Sequence, residues 1–267
     1  MGLRIFPSSQ FGAVETFPRA GFDPDALAGI NAIIENGGTL SNSDKAAINT
    51  FVLGLKADAL WGTFAGLFLF VGGTDNAHSV EFQSRTLQIS WVNTPVHSTL
   101  GVEFDGSASY GEIALGGIGG AYSIHLSAYI NAQSLSSGAT IAGTTDTGGM
   151  GTKHLSLYHD GSTIAARGVN DNVLLAGLTG SPYGFFGISR QDANNRHIYH
   201  SGVDFVADTE TAFENVGYAP YIGANNADMV PSSLAPCRLG FLSVGNGINL
   251  ALLEPHVTAL QVALGRP

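Results

Sequence analysis

Gly101-Val-Glu-Phe-Asp-Gly-Ser-Ala-Ser-Tyr110-Gly-Glu-Ile-Ala114 and Tyr122-Ser-Ile-His-Leu-Ser-Ala-Tyr-Ile130 stand near the middle of the chain. In the second segment Tyr122, Ile124, Leu126, Ala128 and Ile130 fall on one face. Ser123, His125, Ser127 and Tyr129 fall on the other. A period of two over this length predicts a half-buried strand with a solvated polar face. The first segment reads as strand, turn and strand. Asp105-Gly106 makes the turn, and Tyr110 and Ile113 re-enter the sheet.

Outward from this centre the pattern repeats. Strands are expected at Thr86–Val92, Thr140–Thr144, His154–His159, Ser162–Val169, Tyr183–Gln191, Arg196–His200, Pro220–Ala224 and Arg238–Val244. Turn signals recur about every eight to twelve residues, the spacing of a sandwich, and no helix interrupts the series. Helical periodicity is confined to the ends. Pro24–Asn36 carries Leu27, Ile30, Ile33 and Ile34 on one stripe and stops at Gly37-Gly38. Ser41 with Asp44 caps a second helix whose stripe is Ile48, Phe51, Val52 and Leu55. Leu252–Leu264 repeats apolar residues at Leu253, Val257, Leu260 and Leu264, with Pro255 in its first turn. The expected fold is mainly β: a jelly-roll sandwich with short amino-terminal helices and a carboxy-terminal helix packed on it. Residues 1–40 read as an arm plus a short helix, and 41–267 as a helix, the jelly roll and the last helix.

Composition narrows the function. Charged residues are only 12% of 267, and Asp+Glu at 21 exceeds Lys+Arg at 11, a net charge of −10. A phosphate-tracking nucleic-acid binder needs a basic surface, and so does a protein docked on anionic lipid, so neither partner is expected. The one cysteine, Cys237, excludes an internal disulfide and reads as a small buried hydrophobe. Met1-Gly-Leu-Arg-Ile-Phe6 is broken too soon by Pro7 to be a cleaved signal. The longest apolar run, Leu67–Val71, is far short of a membrane span. Phe6, Phe11, Phe17 and Phe22 alternate with Pro7, Pro18 and Pro24. Such an arm cannot bury its aromatics alone, so it is expected to lie against its own domain or a neighbouring subunit.

The central pair, with Ile198-Tyr199-His200-Ser201-Gly202-Val203 and Tyr221-Ile222-Gly223-Ala224, resembles the laminin-G, pentraxin and concanavalin A-like jelly rolls. A wider set resembles bacteriophage and prophage virion surface proteins, tail- or head-associated, with a concanavalin A-like domain. It comprises Ile48–Trp61, Leu67–Thr74 with His78, Trp91–His97 with Gly101, and Phe241–Gly247 leading to Leu260–Arg266. This likeness covers residues 45–266. It implies a non-enzymatic tail-fibre, spike or head-fibre component, assembled in the bacterial cytoplasm and displayed on the virion. Its jelly roll would bind host-surface glycan, and its arm (Phe6, Phe11, Phe17, Phe22) would attach to other virion proteins. The low charge favours extensive subunit contact in a homo-oligomer, a trimer first. The alternatives are a purely structural decoration or adaptor subunit and, behind it, a polysaccharide depolymerase.

The residues themselves argue against catalysis. Glu103-Phe-Asp105 begins the E-x-D-x-(x)-E strand of jelly-roll glucanases, but Ser107 and Ala108 stand where the third carboxylate belongs. Asp208, Glu210 and Glu214 read as a solvated loop. His154 with His159, and His197 with His200, point to opposite strand faces, and no metal-binding spacing occurs, so no metal or other cofactor is expected. Sugar sites combine aromatic faces with planar polar groups. The candidates near strand ends are Asp171, Asn172, Tyr183, Arg190, Asn194, Arg196, Tyr221 and Asn225.

Overall fold

The computed structural model describes residues 21–86, 88–115, 123–133, 138–147, 153–160, 163–168, 173–174, 183–192, 196–207 and 217–267. Among them, helices α1 (Pro24–Glu35) and α2 (Asn42–Ala57) lead to β1 (Phe64–Phe68) and a one-turn helix, α3 (Asp75–His78). Next come β2 (Ile89–Val92), β3 (Val96–Ser98), β4 (Gly101–Glu103), β5 (Tyr110–Ile113) and β6 (Ile124–Gln133). The series continues with β7 (Thr140–Asp146), β8 (Lys153–Asp160), β9 (Thr163–Gly168), β10 (Val173–Leu174), β11 (Gly184–Arg190), β12 (Arg196–His200) and β13 (Val203–Ala207). It ends with β14 (Tyr221–Ile222), β15 (Asn225–Ala227), β16 (Val230–Ser232), β17 (Cys237–Gly245) and α4 (Leu250–Ala263).

Two sheets result. The first runs β13-β12-β11-β6-β17-β4-β3, with β1 also on β17. The second runs β10-β9-β8-β7-β14-β5-β2, with β15 between β7 and β16. Neighbouring strands are antiparallel except β15 on β7. The chain passes from sheet to sheet as it goes from β4 through β7, so the sandwich is a jelly roll. Local chemistry starts the elements. Ser41 and Asp44 form a reciprocal capping box at α2, and Pro24 follows the Asp23 cap of α1. Asp105 accepts the N–H groups of Ser107, Ala108 and Ser109, which folds the loop between β4 and β5 and holds its carboxyl well below the usual range.

There are two main cores. Between the sheets lie Leu126, Ala128 and Ile130 of β6, Leu242 and Val244 of β17, and Ile141, Leu155, Leu157 and Ile222 opposite. On the other side of the first sheet the helices add a third layer. Ile30 and Ile33 of α1, Phe51, Val52 and Leu55 of α2, and Leu253, Val257 and Leu260 of α4 pack on Tyr129, Phe185, Tyr199 and Phe241. An isolated helix as long as α2 is marginal in water, whereas each buried side chain of this size contributes about 1.5–3 kcal/mol. The apolar stripe therefore holds the helix in place. Residues 24–40 share this core with α2 and α4, and Phe22 is packed against it; Phe6, Phe11 and Phe17 lie outside the described residues.

Three expectations need correction. The polar face of β6 is not solvated: His125 and Ser127 are fully buried, because the helix layer and the loop before α4 cover it. Pro255 lies in the second turn of α4, not the first, because the helix, capped by Asn249, starts at Leu250, two residues upstream of the expected start. The strand expected from Thr86 begins at Ile89. The segment before it is bent back by Glu81, a buried carboxylate that accepts from the amides of Leu67, Gln83, Ser84 and Arg85. Cys237 is a free, buried thiol, pushed up to about 12 by burial.

Candidate functional site

The outer face of the first sheet carries a row of small polar side chains that decide where α4 begins. Ser189 on β11 donates its hydroxyl to the Ile248 carbonyl (2.6 Å) and accepts the Ile248 N–H (2.9 Å). Ser123 accepts the Gly247 N–H (2.8 Å). His125 Nδ1 donates to the Asn246 carbonyl, so its Nε2 accepts from Ser243, whose oxygen is 2.8 Å from that of Ser127. Burial lowers the His125 pKa to about 4, which keeps the imidazole neutral and this proton order fixed. Gly247 is required here. A Cβ on it would stand 1.7 Å from the Arg190 carbonyl oxygen, so only glycine lets the loop pass this close to β11.

The His125–Ser243 pair has the geometry of a nucleophile and base. Both residues have no exposed surface, with the loop at Asn246 and the ring of Phe64 against the imidazole, so the pair serves as a structural pin.

Pinned in this way, the first turn of α4 stands beside β12 and β13 and closes a cleft of about 180 Å³. Gln191, His197, Tyr199, Asp204, Ile248, Asn249, Leu250 and Ala251 line it. Strand alternation puts His197 and Tyr199 on one face of β12. The β12–β13 hairpin turns through Ser201 and Gly202, both at positive φ, and this register sets Asp204 opposite Tyr199. Asp204 receives His197 Nδ1 at 3.0 and 3.1 Å. Beneath them Tyr199 forms a buried aromatic floor. Burial, a hydrogen bond to Glu254 and the carboxylates of Glu254 and Asp204 push its phenol up to about 12. Glu254, on α4, also accepts the Gly202 N–H (3.1 Å), tying the helix to the hairpin.

Chemically, the cleft offers planar donors and acceptors over an aromatic floor. The phenol is not an activated nucleophile, since its pKa moves away from neutrality.

Among the described residues, the sequence-derived candidates do not come together at one place. Arg190 and Arg196 are registered opposite each other on β11 and β12, but they share the face of Ile188 and Ile198 toward the interior and are 3% exposed. Tyr183 is exposed, yet it precedes β11, whereas Gln191 follows it, roughly 26 Å away for eight strand steps. Tyr221 belongs to the second sheet, its ring tilted at 35° and 5.0 Å from that of Tyr110 in a small buried cluster. Asn225 there bonds Thr145 and Ser232. Asp171, Asn172 and Asn194 lie outside the described residues, as do Asp208, Glu210 and Glu214. Glu103, the start of the glucanase-like pattern, pairs with Arg238 at 2.6 Å. The cleft residues were missed, although the hairpin was recognisable. Its two-residue turn fixes the Tyr199–Asp204 register, and that register was the available signal.

No family model matches the chain, and no curated protein sequence matches it. In solved structures the fold recurs. A mutant Trypanosoma rangeli sialidase displaying trans-sialidase activity matches with a TM-score of 0.52 and 11% identity, over 82% of this chain and 39% of that one. The same organism's sialidase in complex with 2,3-difluoro-KDN gives 0.52 and 12%, over 80% and 39%. Domain 4 of a GH43 extracellular arabinanase from Geobacillus stearothermophilus, in complex with arabinotriose, gives 0.48 and 13%, over 72% and 97%. The chain spans well under half of the sialidase. At such identities the shared property is the fold, a β-sandwich.

Proposed function

We propose that this chain is a glycan-binding β-sandwich module that holds its ligand without cleaving it, displayed on the surface of a bacteriophage particle. One observation carries the binding reading: the cleft at β12, β13 and α4. It gathers an imidazole, a carboxylate and two amides over a tyrosine ring, in a space below the roughly 300 Å³ of a drug-sized pocket. A single sugar residue fits that scale, with its hydroxyls taking the planar polar groups. Binding without hydrolysis is supported by the Asp204–His197 pairing and by the Tyr199 phenol held near 12. The virion placement rests on the sequence resemblance across residues 45–266 and on the phenylalanine-rich arm.

A glycan array probed with the whole chain and with His197→Ala tests the binding reading. A bound class that is lost in the variant is expected; no bound class at all would overturn it. A second reading, a subunit that only contacts other subunits, draws on the adjacent exposure of Met229 and Val230, 67% and 61%. Electron cryomicroscopy of the particle separates the two: the cleft faces solvent in the first and is occluded in the second.

A further inference from the structure

We infer that the cleft selects neutral or amino sugars and rejects sugars carrying a carboxylate, such as sialic or uronic acids. This rests on the glycan-binding reading and adds its substrate class. Among the described residues the lining contains no lysine or arginine. Its carboxylate among the described residues is Asp204, on the rim; Glu254 of α4 lies behind Tyr199, outside the lining. The first turn of α4 also faces the cleft, and a helix amino terminus carries roughly half a positive charge. The Asp204 carboxylate, about −1, outweighs it, and Glu254 behind the floor adds to the negative side.

Arg190 and Arg196 do not redress the balance. They share the face of Ile188 and Ile198, opposite that of His197 and Tyr199, and are buried. The whole chain, at −10, adds to the repulsion at long range. An acidic sugar would bring its carboxylate into a concave, negatively charged space with no cation to receive it. An ammonium or a hydroxyl meets acceptors instead, and Ile248, Leu250 and Ala251 give the sugar a small apolar wall.

The test uses the whole chain on paired glycans that differ only in charge: neutral, free-amine, sialylated and uronate forms of one backbone. At neutral pH and low salt the neutral and amine forms are expected to bind at least tenfold tighter than their acidic partners. Asp204→Asn should narrow that ratio. Gln191→Lys, an exposed substitution that leaves the fold alone, should reverse it. Acidic forms bound as tightly as neutral ones, with both variants leaving the ratio unchanged, would overturn the selectivity while the glycan reading stands. No binding of any form would remove the glycan reading and this inference with it.

Discussion

Two polar clusters occupy the same face of the first sheet and have opposite fates. At the centre, His125, Ser127 and Ser243 are sealed beneath the loop before α4 and the Phe64 ring, and the imidazole and the serine oxygens bond one another. At the edge, His197, Asp204 and Tyr199 form a comparable set, but α4 only borders them and the His197–Asp204 pair remains partly exposed. Residue types alone would rank the central set as the better site, since it holds a serine beside a histidine. Cover decides otherwise. Where the loop before the helix lies across the sheet, polar groups become a closed network that fixes geometry; where the helix starts, the same chemistry lines an open cleft.

The central cluster should break hardest. His125→Ala takes one of its two partners from the Ser243 hydroxyl, which keeps Ser127, leaves the Asn246 carbonyl without the imidazole and opens a void against Phe64. The lost hydrogen bonds cost roughly 1–3 kcal/mol together, and the void adds to this, so about 3 kcal/mol of stability should be lost. Urea denaturation measures it as a lower midpoint at unchanged slope. A loss under about 1 kcal/mol would show that the cluster is not the pin described here.

Acidification probes the same contrast without mutation. Burial holds the folded His125 near 4 and His78 near 3, against 6.5 ordinarily. Below 6.5 the unfolded chain takes up protons that the folded chain refuses. Stability should therefore be full above about pH 7 and fall as pH drops from 6.5 toward these folded values. Between pH 7 and pH 5 each of the two histidines removes about 2 kcal/mol. His97 and His200, lowered mainly by burial, act in the same direction. Urea midpoints at the two pH values would show it, and a flat profile would mean that these rings are hydrated in solution.

How much of this was legible follows the same division. The inner face was readable because alternation is a local signal: Ile124, Leu126, Ala128 and Ile130 all enter the intersheet core. Capping at Ser41 and Asp44 and the Ser201-Gly202 turn were equally local. The outer face was not readable, since what covers His125 is a loop about 120 residues later. The same holds for Arg266, whose buried guanidinium donates to the carbonyls of Thr99, Phe70 and Gly240 and closes the carboxy-terminal end. Nothing near these residues in sequence marks such contacts. The cleft lay between the two cases, with half its lining set by one hairpin and the other half supplied by the start of α4.

Ser189 links the two clusters, because its hydroxyl holds Ile248 at the entrance to α4. Ser189→Ala should cost about 1–2 kcal/mol, less than the His125 change because one side chain is trimmed by a single atom. It should also loosen the cleft, weakening ligand binding although the serine is not part of the lining. Stability lost with binding intact would separate the pin from the site.

The smallest effect on stability is expected where the effect on binding is largest. His197 and Asp204 are 27% and 42% exposed at their side chains, and such pairs are worth at most about 1 kcal/mol. His197→Ala should shift the urea midpoint barely, while removing a planar donor from the cleft and reducing glycan affinity tenfold or more. Set beside His125→Ala, it gives a crossed pair: one histidine carries stability, the other binding. If both variants lost stability alike, the edge cluster would be a second pin, and the cleft would be the space left between a hairpin and a helix.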